Sequence, residues 1–283
     1  LLKVDTEGNE IWSSIFGSAL NEHGHTVLAT QDGNYFLVGD SVDADDQVVD
    51  PGTPGYSGYA GRSNTYVVRA DADGQEMWSR RLVSDDNVIT SAAALASDGG
   101  LVALSYILRF PVEDEDIHLF KLDADGNELW SQMWIEGRAS GFALVSSTRG
   151  GFVISGIISF PDDPTRVKGD GLIIRTDDEG NELWSASYGE ANLVELAYRV
   201  TETTDGHFVS VGSQMHNLTT GTDDILLAAF DDLGSLLWQD LITTSSHNMF
   251  GALLDHRDGS HVVLNSSGTW RTSFQIHLRK IEE

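Results

Sequence analysis

The chain has 283 residues, no cysteine, and 44 acidic against 17 basic residues, for a formal net charge of −27. Zero Cys excludes disulfides and thiolate chemistry, and the charge argues against nucleic acid and anionic membrane surfaces, whose phosphates call for Lys and Arg. No run of about eighteen apolar residues occurs, so no membrane insertion through a helix is expected, while 40% hydrophobic content is enough for a core.

In chain order, the first element is VDTEGNEIW at 4–12, and the same phrase returns four times. The later copies are ADADGQEMW at 70–78, LDADGNELW at 122–130, TDDEGNELW at 176–184 and FDDLGSLLW at 230–238. Each fixes an Asp, a Gly three residues on and a Trp seven residues on. The triplets are Asp5, Gly8, Trp12; Asp71, Gly74, Trp78; Asp123, Gly126, Trp130; Asp177, Gly180, Trp184; and Asp231, Gly234, Trp238. A second turn alternates with the phrase, at Asp32-Gly33, Asp98-Gly99, Arg149-Gly150-Gly151, Asp205-Gly206 and Asp258-Gly259. Self-similarity at a period of about fifty residues predicts a repeat array or ring.

The third unit reads strand by strand. Residues 116–122 alternate as a strand, D-A-D-G-N turns it, and 128–135 return. Residues 141–148 form a third strand, and 152–158 follow the Arg149-Gly150-Gly151 turn as a fourth. Four antiparallel strands per unit is the size of a propeller blade. Leu278–Glu282 starts a sixth copy, so the C-terminus ends where the N-terminus begins in the repeat. The expectation is an all-β, five-bladed β-propeller in one domain, 1–283. Its last blade takes residues 247–283 plus 1–16, closed by pairing N- and C-terminal strands. Residues 1–4 and 278–281 both read as the same strand, one too many. No starting Met or signal peptide is present, which is expected of a mature or excised chain.

The Asp-turn-Gly-x-x-x-Trp phrase resembles the tryptophan-docking repeat of quinoprotein-like propellers, one residue shorter in the turn. TVLATQDGNYFLVGDS (26–41) and AYRVTETTDGHFVSVGSQ (197–214) resemble the other half of propeller repeats in secreted and surface bacterial proteins. The resemblance spans nearly the whole chain and implies the fold. The quinone-dependent members have about eight blades, a calcium-bound cofactor and often a cysteine pair. This chain has fewer units and no Cys, so no redox cofactor is expected.

Each Trp is expected to pack between neighbouring blades and each first Asp to cap its own turn. D-A-D-G-N-E shares part of a calcium loop, but that loop needs about twelve residues and a distal bidentate Glu. The variable connections fall on the other face: 40–64, 106–116, 159–170, 214–224 and 266–273. That face is the candidate binding face, with Tyr56, Tyr59, Phe110, Phe160 and Trp270 as its aromatics. Asp43, Asp45, Asp46 and Asp50 in the longest loop are the candidate Ca²⁺ ligands. His23, His25 and His247 form a weaker zinc candidate. Glu195, Glu202 and Asp255 are the acids on or beside strands that would line the inside, where a glycosidase needs a pair.

No GxSxG, HExxH, phosphate-loop or dinucleotide fingerprint occurs. The expected role is therefore non-catalytic: an extracellular or cell-surface binding or assembly module that meets a protein or glycan at the variable loops. Self-assembly is a further expectation. A lectin and a five-bladed glycoside hydrolase are the alternatives. A Lys-poor acidic surface suits saline, halophilic or marine surroundings, where self-repulsion is screened.

Overall fold

The computed structural model describes residues 1–43, 62–109, 114–134, 138–160, 169–217, 222–243, 247–255, 261–269 and 273–281. Every regular element among them is a β-strand. The first compact unit, Leu1–Trp134, begins with the hairpin β1 (Leu2–Val4) and β2 (Glu10–Ser13). Two complete blades follow. One is β3 (Asn21–Ala29), β4 (Tyr35–Val42), β5 (Ser63–Ala70) and β6 (Glu76–Leu82). The other is β7 (Asn87–Leu95), β8 (Leu101–Arg109), β9 (Asp114–Leu122) and β10 (Glu128–Trp134).

The second unit, Ile135–Glu283, repeats the plan. Its complete blades are β11 (Arg138–Ser146), β12 (Phe152–Ser159), β13 (Gly169–Thr176) and β14 (Glu182–Tyr188), then β15 (Val194–Glu202), β16 (Phe208–Asn217), β17 (Thr222–Phe230) and β18 (Leu236–Ile242). A three-stranded sheet follows: β19 (His247–Asp255), β20 (His261–Thr269) and β21 (Ser273–Ile281). All pairing is antiparallel between chain neighbours. The fold class is the one the repeat predicts, a β-propeller of five successive blade sheets. The surplus strand is real: β1 and β21 occupy the same repeat position, β1 paired with β2 and β21 with β20.

Why these residues make blades is visible in their burial. β13 is buried along its whole length and packs against β15 of the next blade, with Leu172, Ile173 and Ile174 at its centre. Outer strands such as β14 alternate instead. Blades pack face to face. In the first unit Phe36, Val38 and Val67 meet Ala93, Leu101, Ala103 and Phe120. In the second, Val153, Ile173 and Tyr188 meet Ala197, Phe208, Leu226 and Phe230.

The repeated phrase locks one blade to the next. Trp12 Nε1 donates to Ala72 O at 3.1 Å, Trp78 Nε1 to Ala124 O at 3.0 Å and Trp184 Nε1 to Asp232 O at 2.9 Å. Each ring lies over the following turn glycine. A Cβ on Gly74 would sit 2.7 Å from Trp12, one on Gly126 3.1 Å from Trp78, and one on Gly234 2.7 Å from Trp184. These glycines also hold φ of +78° to +83°, so both sterics and backbone exclude a side chain. The residue before each Trp sits at a break in the pairing register, as Met77 does between Glu76↔Ala70 and Trp78↔Arg69. That bulge aims the Trp at the next blade and turns its predecessor outward. Ile11, Met77, Leu129, Leu183 and Leu237 are accordingly about half exposed.

Candidate functional site

The two short turns of each complete blade share one end of its sheet, and the first Asp of each phrase is occupied. Asp5 Oδ1 accepts the backbone N–H of Glu7 at 2.8 Å and of Asn9 at 2.9 Å, and Asp71, Asp123, Asp177 and Asp231 repeat this. The turn reading of D-A-D-G-N thus holds. Hydrogen bonds from the Asn9 side chain and backbone keep Asp5 below the usual carboxylate range. In the second turn, Asp32 pairs with Arg69 at 2.7 Å and Asp98 with Lys121 at 2.7 Å. The Thr30 hydroxyl, then Asn34 and Arg69, hold Asp32 down to about 2. A cavity of about 440 Å³ lies between these two turns, lined by Thr30, Gln31, Asp32, Arg69 and Asp98 among others. Its charged walls are already neutralised by one another.

The opposite end carries the variable connections. Tyr56, Tyr59, Phe110, Trp270, Asp45, Asp46 and Asp50 lie outside the described residues. Phe160 is half-buried at the end of β12. Asp43 is engaged by Arg81 at 2.6 Å. Among the described residues no three His, Cys, Asp or Glu are gathered as a metal site requires. His25 gives its ring to Asp40 at 2.7 Å, which raises its pKa, and Asp40 also accepts the Thr90 backbone N–H at 2.8 Å from the next blade. The side chain of His247 is outside the description.

At this end of the second unit the structure gathers a polar cluster. Glu195, at the start of β15, is fully buried; Oε1 accepts Glu190 N at 3.1 Å and Gln214 Nε2 at 2.9 Å. Asp170, Asp223 and Asp224 on the third strands are buried too, and His216 Nε2 meets Asp224 at 2.8 Å. Burial pushes the Glu195 carboxyl up, and the nearby Asp170 and Glu190 charges add to this. Asp170 and Asp224 had a signal in the sequence that went unread. Seven residues before the first Asp of the phrase stand Asn64, Asp116, Asp170 and Asp224, all buried. Asn64 shows one use of the position, accepting the Ser84 backbone N–H at 2.8 Å across the blade boundary.

Glu195 and Glu202 occupy opposite ends of β15. Seven residues of strand separate them, about 23 Å at roughly 3.3 Å per residue, whereas a glycosidase pair stands about 5–9.5 Å apart. Glu202 instead accepts Thr148 N at 2.6 Å and Thr148 Oγ1 at 2.8 Å at the short-turn end. The side chain of Asp255, on β19, is outside the description.

On the first strands of the second unit two bulged aromatics are half-buried, and an arginine beside them is exposed. Register breaks at Gly141/Ala143 in β11 and Ala197/Arg199 in β15 carry Phe142 and Tyr198. Their rings meet at 5.5 Å between centroids, tilted by 33°. Tyr198 is pushed up by burial, with the Asp223 charge assisting. Arg199 beside it is exposed and donates to Tyr198 O at 2.8 Å.

The chain matches no curated protein. Among solved structures it is similar to a protein of unknown function from Bacteroides caccae, at 10% identity and TM-score 0.51, over 93% of this chain and 77% of that one. A puromycin hydrolase S511A mutant complexed with PGG matches at 15% identity and TM-score 0.52, over 86% of this chain and 35% of that one. At such identities the likeness shows the fold alone. A family model, PQQ_2, described as outer membrane protein assembly factor BamB, matches residues 1–162. With the docked tryptophans and the repeated blades, this match over more than half of the sequence places the chain in the PQQ_2 family of β-propeller repeat proteins.

Proposed function

We propose that the protein is a non-catalytic binding or assembly module, extracellular or at the cell surface, that meets its partner at the variable-loop end. One observation carries this reading. The loop-end carboxylates of the second unit, with Glu195 at 0% exposure, are spent on joining strands and blades, and a substrate could not reach them. Phe142 and Tyr198 are half-buried and Arg199 exposed near the middle of the first strands β11 and β15. A tilted aromatic pair with one cation suits a protein loop or a sugar face. The family description, an outer membrane protein assembly factor, supports an assembly role. Ca²⁺ ordering the acidic 40–64 loop is part of the proposal.

A lectin is the second reading, favoured by the Phe142–Tyr198 pair as a stacking surface. An oligosaccharide panel with and without Ca²⁺ separates the readings. Saturable binding without turnover, weakened at least tenfold by Tyr198→Ala, supports the lectin. Hydrolysis of any member overturns the non-catalytic assignment and makes the protein a glycoside hydrolase. With neither, protein binding is tested by cross-linking the intact chain in its native envelope, and Arg199→Ala should reduce the yield.

A further inference from the structure

The fifth copy of the phrase departs from the other four where their side chains face water. The position before the turn glycine holds Glu7, Asp73, Asp125 and Glu179, and the second position after it holds Glu10, Glu76, Glu128 and Glu182. All of these acids are exposed. The fifth copy has Leu233 and Leu236 there instead, beside Leu237 at the outward apolar position that every copy shares. Leu233 is 77% exposed, Leu236 48% and Leu237 46%.

The blade itself has no use for the two extra leucines. Asp231 Oδ1 accepts Leu233 N at 2.9 Å and Ser235 N at 2.7 Å, so the turn closes as it does in the sister copies. Phe230 pairs with Leu236 and Ala229 with Trp238, the same register as Thr176↔Glu182 and Arg175↔Trp184 one blade earlier. Single apolar side chains on a surface are ordinary. Three in the run 233–237, where the repeat otherwise places acids, form a patch of the kind that marks an interaction surface.

Charge decides what the patch meets. A chain of net charge −27 repels its own copies, and the sister hairpins keep that repulsion with their outward acids. The 231–237 hairpin has given up both acids. Its rim carries both signs: Arg149 pairs with Asp232 at 3.0 Å, and His207 with Asp205 at 3.1 Å. A second copy related by a two-fold axis brings leucines to leucines and a mixed rim to a mixed rim, as an isologous contact requires. The bulge at Leu237 turns the strand away from flat ladder pairing, so side chains make the contact, not an added strand. Asp240, farther along β18, is exposed and confines the contact to the turn end.

We propose that Leu233, Leu236 and Leu237 form a self-association surface through which two copies of this chain meet, at the short-turn end of the β15–β18 blade. The variable connections lie at the other end of that sheet, so this contact and the loop-end reading stand or fall separately. A patch of three leucines is smaller than the interface of a permanent dimer. The expected dimer is therefore weak, with a dissociation constant on the order of 100 µM, and tighter in salt, which screens the repulsion between copies.

Sedimentation velocity of the full chain up to about 500 µM, in about 10 mM and 0.5 M NaCl, tests this. The wild type should show a monomer–dimer equilibrium that strengthens with salt. Leu233→Glu combined with Leu236→Glu should weaken it at least tenfold. Sister copies carry glutamate at both positions of the same turn, so this variant should fold. Leu233→Gln combined with Leu236→Gln should weaken it too, which separates lost apolar contact from added charge. Leu183→Glu, at the shared apolar position of β14, should leave it unchanged. Because the chain has no Cys, Leu236→Cys introduces a single thiol. Mild oxidation should link two copies through it, since equivalent residues of so small a patch lie near the two-fold axis, whereas Leu183→Cys should stay unlinked. A wild type that remains monomeric at the highest concentration in 0.5 M NaCl leaves the leucines to an unlike partner and overturns the proposal. A dimer that survives the paired glutamate substitutions, or that Leu183→Glu weakens as strongly, overturns it as well.

Discussion

At the residue scale, the turn glycines separate two costs that are usually entangled. Gly8 and Gly234 share the same left-handed backbone, with φ of +86° and +83°. A Cβ on Gly8 meets nothing within 4 Å, whereas one on Gly234 would strike the Trp184 ring. Gly8→Ala should therefore cost about 1 kcal/mol, the backbone penalty alone. Gly234→Ala should cost roughly 3 kcal/mol or more, because the ring must leave its seat. Urea midpoints at constant m check this, and equal midpoints would contradict the docking account. The His25–Asp40 pair gives a pH signature. Its hydrogen bond to Asp40 raises the His25 pKa above the unfolded value. The stability it adds is thus full below about pH 6.5 and is lost as pH rises through the folded value. His25→Gln should flatten the stability profile between pH 6 and 8. The change should stay under about 1 kcal/mol, since a ring one-third exposed is screened by solvent.

At the element scale, the second turn shows how a repeat tolerates a broken rule. Asp32 and Asp98 face Arg69 and Lys121 within their own blades. The next blade has Arg149 at the acidic position, and the one after has Ala229 at the basic position. Arg149 resolves both departures by crossing the boundary, reaching Asp232 at 3.0 Å and the Asp205 carbonyl at 3.4 Å. Restoring the repeat here should therefore do harm. Arg149→Ala is expected to cost under about 1 kcal/mol, as for an exposed ion pair. Arg149→Asp should cost more, because it adds an acid beside Asp232 and Glu202. Thermal melts at low and high salt check the pair, and a stabilised Arg149→Asp would refute the bridge between blades. The bulges follow a similar logic. They leave one apolar residue per outer strand exposed, yet they twist each edge away from flat pairing with another chain.

At the scale of the whole molecule, the charge of −27 is the dominant long-range term. Self-repulsion should be relieved by salt. The melting temperature is expected to rise by several degrees between about 10 mM and 0.5 M NaCl, where the Debye length falls from about 30 Å to a few Å. Indifference to salt would remove the argument for saline surroundings. Within each compact unit the sheets, their order and the faces they bury repeat almost without change, as expected where each blade contacts only its neighbours.

The sequence by itself determined the blades. A phrase repeated five times fixes turn, strand and Trp spacing, and short-range sterics leave a glycine at φ > 0 little alternative. The strand boundaries read from 116–158 match β9 to β12 closely, although β9–β10 and β11–β12 belong to successive blades, and the capping Asp residues do what their spacing implies. The tertiary structure alone decided what the acidic residues do. Glu195 and Glu202 look alike as two glutamates on one strand, but they stand at opposite ends of it. Asp170 and Glu195 come to flank one glycine, Gly189, only because two blades pack there. The partly open Phe142, Tyr198 and Arg199 depend on register breaks that no single residue announces. Local periodicity is written residue by residue along the chain. Proximity across blades, and with it burial and protonation, exists only once the faces are pressed together.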